Sequence, residues 1–191
     1  MNNPLQLARN GNCVRLRELI LESKSTVLNA ATEFGDTVLI IASRNGHDIC
    51  VSDLISAGAN VNTKNSDGET ALMVASGNGH INSVTALIHA KSNINEQDNS
   101  GDTALIVAAL NGRLSCVKYL IKSGADPRIK NNDHQTALDY AKRERYKKIT
   151  NILELALSKN ADMPGGSRKR KSTMRKSGNR KSGNRKLTKR K

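Results

Sequence analysis

His47 and His80 stand 33 residues apart, each directly after an Asn-Gly pair. Imidazoles can bind metal or carry protons near neutral pH, but a metal centre needs several ligands converging. Helices stacked at the usual spacing of about 10 Å per unit would hold the two rings apart, so each reads as a hydrogen-bonded turn residue. Three cysteines, at positions 13, 50 and 116, are an odd set that suits a reducing compartment. Cys50 and Cys116 lie two 33-residue periods apart. That is roughly 20 Å in such a stack, beyond disulfide reach, so they are expected to be small core residues. Ser115-Cys116-Val117-Lys118 has the Ser-x-x-Lys spacing of some acyl-transfer enzymes without a partner motif, and no glycine-rich phosphate loop is present. The expectation is therefore no catalysis, no cofactor and no metal. Asp36, Glu69 and Asp102 recur at intervals of 33. They would either cap the helices that follow them or present one carboxylate per unit to a basic partner, and both readings stay open.

The spacing of these residues is the spacing of the whole chain. Thr37, Thr70, Thr103 and Thr136 keep the same period, as do Ala42, Ala75, Ala108 and Ala141, and Gly46, Gly79 and Gly112. Within one unit, Thr70-Ala71-Leu72 opens a short helix that Asn78-Gly79 closes, since glycine accepts the left-handed turn. A second helix follows with Ile81, Val84, Leu87 and Ile88 on one face. Then NINEQDNSGD, residues 93 to 102, supplies a projecting turn. A unit of this kind cannot bury its own apolar face, so neighbouring units must stack.

The strings GDTVLIIASRNGH, GETALMVASGNGH, GDTALIVAALNGR and QTALDYAKRER, with LISAGANVN and LIKSGADPR closing two units, resemble the ankyrin repeat family over about residues 2 to 158. The resemblance implies an all-α repeat fold: a helix-turn-helix solenoid of about five repeats followed by a disordered basic C-terminal tail. The expected division is an N-terminal capping repeat at 1–33, repeats at 34–66, 67–99 and 100–132, a C-terminal capping repeat at 133–160 and the tail at 161–191. Lys91 replaces the glycine that ends the second helix at Gly58 and Gly124, and a locally altered turn is expected there.

The resemblance further implies a non-catalytic scaffold that holds a partner protein on its concave side, touching the loop tips and the first helices. Carried over by position, that surface comprises Phe34, Asp36, Asp67, Glu69 and Asp102 on the tips, and Arg44, Asn45, Asn78, Leu110, Asn111 and Arg143 on the inner helices. Phe34 is the sole phenylalanine, and it either anchors a partner or folds beneath the longer first connection. The four tip stretches contain eight acids against three bases, an acidic rim.

Residues 165–191 carry 13 of the 31 basic residues and no acid, leaving the preceding 164 residues with a balance of +1. Without an aromatic residue this tail is expected to be disordered and to contact phosphates without reading bases. Arg168, Lys169, Arg170 and Lys171 resemble an import signal, and Arg175, Lys176, Arg180, Lys181, Arg185 and Lys186 continue the run. The tail would serve localisation or nucleic acid, and the runner-up function is a nucleic-acid-associated protein whose tail supplies the affinity. No apolar stretch is long enough to span a membrane and the start lacks a secretory layout, so an intracellular monomer, cytoplasmic or nuclear, is expected. Its abundance of Asn, Lys and Ile resembles ankyrin proteins of large DNA viruses and intracellular bacteria, for which the partner would be a host protein and the compartment could be a host nucleus.

Overall fold

A computed structural model describes residues 3–161. The tail, with its basic residues from Arg168 onward, lies outside the described residues. Among the described residues ten helices form five pairs: α1 (Pro4–Asn10) with α2 (Cys13–Asn29), α3 (Val38–Asn45) with α4 (Asp48–Ser56), α5 (Ala71–Asn78) with α6 (Ile81–His89), α7 (Ala104–Leu110) with α8 (Leu114–Lys122), and α9 (Ala137–Arg143) with α10 (Lys147–Ala161). The odd-numbered helices pack in chain order as one layer and the even-numbered helices as a second. Helix α10 ends at Ala161, one residue into the stretch expected as tail.

Four first helices begin on threonine. The hydroxyl oxygens of Thr37, Thr70, Thr103 and Thr136 accept from the amides of Ile40, Met73, Ile106 and Asp139 at 3.2 to 3.4 Å. This overturns the capping reading of Asp36, Glu69 and Asp102: the acids stand one residue before the cap, and their carboxylates turn elsewhere. The first helices lie between neighbours on both sides, so α5 is buried from Ala71 to Gly77 rather than along one stripe. Ala42, Ala75, Ala108 and Ala141 have no exposed surface, because a side chain of one methyl lets the two layers approach.

Glycine is needed in the tips where a further unit stacks. At Gly68 (φ +80°) an added Cβ would lie 2.7 Å from the backbone nitrogen of Asn99. His134 occupies the same register in the last unit with φ +61°, and Arg145 stands where Gly46, Gly79 and Gly112 stand, with φ +60°. No described unit follows to collide with either.

The turn at Lys91 is not altered. Lys91 adopts φ +63°, its amide donates to the Ile88 carbonyl at 2.9 Å, and Ser92 donates to Leu87 at 3.1 Å. Gly58 and Ala59 make the matching bonds at 2.9 and 3.0 Å. The stacked neighbours hold the backbone in the common path, and the strain falls on the lysine instead.

The cysteines also depart from expectation. Cys13, at the start of α2, and Cys50, in α4, form a disulfide with Cα atoms 4.8 Å apart, while Cys116 is free and buried. Cys13 stands two residues after Gly11 and Cys50 four after Gly46; the same two registers set Asp48 against Ser83 in the next pair of units, so the bridge joins positions that ordinary stacking brings together although they are not equivalent in the repeat. An odd count leaves one thiol over and does not exclude a bridge.

Candidate functional site

Each projecting tip is a turn built on one side chain: in the first the Thr32 hydroxyl accepts from Asp36 N at 3.1 Å, and the other three are Asx-type turns. Asn65 Oδ1 accepts from Asp67 N at 3.1 Å and Glu69 N at 2.8 Å. Asp98 does the same for Ser100 and Asp102, both at 2.8 Å, and Asn131 for Asp133 and Gln135 at 3.1 and 3.0 Å. The tips are then joined: Ser66 N donates to Phe34 O at 2.9 Å, Asn99 N to Asp67 O at 3.0 Å, and Asn132 N to Ser100 O at 2.9 Å. The rim is thus a hydrogen-bonded ladder whose side chains are held in register.

Along this ladder the acidic column divides. Arg44 forks onto Asp36 at 3.0 and 3.1 Å and reaches Glu69 at 3.0 Å, while Asn65 Nδ2 donates to Asp36 at 2.9 Å and Glu69 at 3.1 Å. Asp36 and Glu69 are therefore bridged by an internal cation and an internal amide. One unit further the bridging elements are missing. The register of Arg44 is filled by Gly77 and Leu110, and the register of Asn65 by Asp98, which has no N–H to give. Asn131 returns at the next tip and donates to Asp102 at 2.8 Å. Burial pushes the Asp102 carboxyl above the usual carboxylate range, the Asn131 amide opposes that, and the charges of Asp98 and Asp133 add to the rise. Negative charge without a bridging cation thus concentrates between Glu69 and Asp102.

The other candidates separate by exposure. Phe34 is 65% exposed, so it does not fold under the first connection. Asp67 is exposed at its tip. Leu110 is half-buried and packs against the core. Asn45, Asn78 and Asn111 are exposed, but each donates its amide to the carbonyl four residues earlier, at 2.8 to 2.9 Å, so these side chains close their own helices. Arg143 is exposed, stacks over the Tyr140 ring at 4.5 Å and bonds Glu144 at 2.9 Å. His47 and His80 donate from Nε2 to the carbonyls of Arg9 and Arg44 in the preceding unit, at 3.1 and 3.2 Å. No group of three metal-ligating side chains occurs among the described residues. Burial pushes the Cys116 thiol up, away from nucleophilic use.

Asn65, Asp98 and Asn131 are the rim residues that the sequence reading passed over. Their 33-residue spacing is as regular as that of the acids, and the single Asn-to-Asp exchange at 98 is the signal that marks the middle of the rim.

The family model for ankyrin repeats in three copies matches residues 5–98 and again residues 90–163. The chain belongs to the ankyrin repeat family. Ankyrin repeats are in general protein–protein interaction modules. No curated protein matches the chain. No helix among the described residues is long and apolar enough to cross a membrane.

Proposed function

We propose that this ankyrin protein is a non-catalytic scaffold that takes a basic segment of a partner protein on its concave face. The observation that carries the reading is the vacancy in the cation series. Arg44 bridges Asp36 and Glu69 from within, whereas among the described residues no cation bridges Glu69 to Asp98 and Asp102 in the next register. A partner's Arg or Lys set there would repeat the bidentate contact that Arg44 makes. Phe34, exposed at the near end of the rim, supplies the aromatic contact that commonly dominates such interfaces. The tail, with its 13 cations, would localise the scaffold, and the monomer is its working form.

The test is affinity capture from cell extract with the full chain and with a Glu69→Gln/Asp102→Asn variant of unchanged melting temperature. Partners retained by the former and lost by the latter should share a basic segment. Identical partner sets from both would contradict the reading.

The alternative is a nucleic-acid-associated protein, favoured by the uninterrupted positive charge of residues 165–191. Comparison of the full chain with residues 1–164 in duplex-binding assays separates the two.

A further inference from the structure

The last unit differs from the others at the turn between its helices. Gly46-His47-Asp48-Ile49, Gly79-His80-Ile81-Asn82 and Gly112-Arg113-Leu114-Ser115 are followed in register by Arg145-Tyr146-Lys147-Lys148. Three cations thus replace a series that elsewhere holds at most one. Two neighbouring cations have acid partners, Lys142 with Glu154 at 2.9 Å and Arg143 with Glu144 at 2.9 Å. Arg145, Lys147 and Lys148 are exposed and have no acid partner among the described residues. Lys147 and Lys148 also open α10, where positive charge opposes the helix dipole. Nothing within the folded unit compensates this arrangement.

These cations border a cleft of about 350 Å³ that is apolar inside. Ile149 is buried, Leu114 is half-buried, and the Tyr146 ring lies against Gly112 while remaining 38% exposed. An aromatic ring and aliphatic walls flanked by three unpaired cations are the two parts of a single-strand site: a surface on which a base stacks and charges that hold phosphates. Three cations on four consecutive residues suit the successive phosphates of a linear polyanion better than one isolated phosphoryl group.

We propose that the Arg145–Lys148 turn is a binding site for single-stranded nucleic acid, with a base on Tyr146 and phosphates on Arg145, Lys147 and Lys148. It adds base contact to an affinity that the tail alone would deliver by charge, and it is independent of the concave rim. The test is fluorescence anisotropy of the full chain with a labelled oligo(dT) strand and with a duplex of equal length across a salt series. The single strand should bind more tightly than the duplex. The Arg145→Gln/Lys147→Gln/Lys148→Gln variant should lower the slope of log affinity against log salt by about 2, since each phosphate contact on a single strand contributes about 0.7. Tyr146→Leu, verified as folded by its melting curve, should weaken single-strand binding by about five-fold or more with little change in slope. An unchanged slope in the triple variant, equal affinity for duplex and single strand, or loss of binding to phosphatidylserine vesicles without loss on the oligonucleotide would each overturn the proposal.

Discussion

Lys91 stands in a left-handed turn that glycine fills in two other units, and its side chain is exposed, so its conformation can be tested without disturbing packing. Lys91→Gly should raise stability by about 1 kcal/mol, read by urea denaturation, because the clash of Cβ with the backbone is removed. Asp102 makes a pH-dependent prediction of defined sign. Its carboxyl sits above the usual range, chiefly through burial, so the folded chain holds that proton more tightly than the unfolded chain. Its contribution to stability therefore falls as pH rises from the ordinary carboxylate value of about 3.9 through the raised folded value, and is level above it. Asp102→Asn should flatten that segment of the stability curve relative to wild type, measured by denaturation at a series of pH values between 4 and 7. An unchanged difference across the series would mean that the carboxyl is not held in the protonated form by its surroundings. The same residue ties stability to binding, since a partner's cation favours the charged form and is released as Asp102 is protonated.

At the scale of elements, contacts between successive units decide what each position tolerates. Gly68→Ala places a Cβ 2.7 Å from the Asn99 backbone in a φ +80° turn and should destabilise by about 2 kcal/mol or more, through strain and a broken tip ladder, in thermal or chemical denaturation. The Cys13–Cys50 bridge joins α2 to α4 over a separation of 37 residues. Cys13→Ser should cost about 2–4 kcal/mol by the loop-closure argument, seen as a lower denaturation midpoint that reductant no longer affects. The helix pairs and their glycine turns were legible in the sequence because a 33-residue period repeats the same physical demand at each unit. The bridge was not, because the period compares equivalent positions, whereas stacking sets the second residue after one turn glycine against the fourth after the next. The sequence left the role of the acids open because carboxylates and threonines adjoin at 36–37, 69–70 and 102–103, and only the backbone geometry shows which of the two turns back to cap the helix. The fate of Lys91 was hidden because local propensity argues for a changed turn, whereas stacking on both sides enforces the common one.

For the whole molecule, a nearly neutral stack presents one charged seam whose internal pairing is complete at one end and open in the middle. Arg44, Asn65 and Asn131 define what a filled register looks like, and Gly77, Leu110 and Asp98 define where it is not filled. Only part of this pattern was readable in advance. The acids at 36, 69 and 102 are visible in the sequence, but that Arg44 reaches across 25 residues to Glu69 follows only from the stacking of α3 on α5. The most direct measurement is a titration of the isotope-labelled full chain with a short arginine-containing peptide at low salt, followed by backbone amide shifts. Saturable shifts should centre on Glu69, Asp98 and Asp102, weaken as pH falls through the raised Asp102 value, and vanish in the Glu69→Gln/Asp102→Asn variant. Shifts that gather on another face, or that persist unchanged in that variant, would contradict the account.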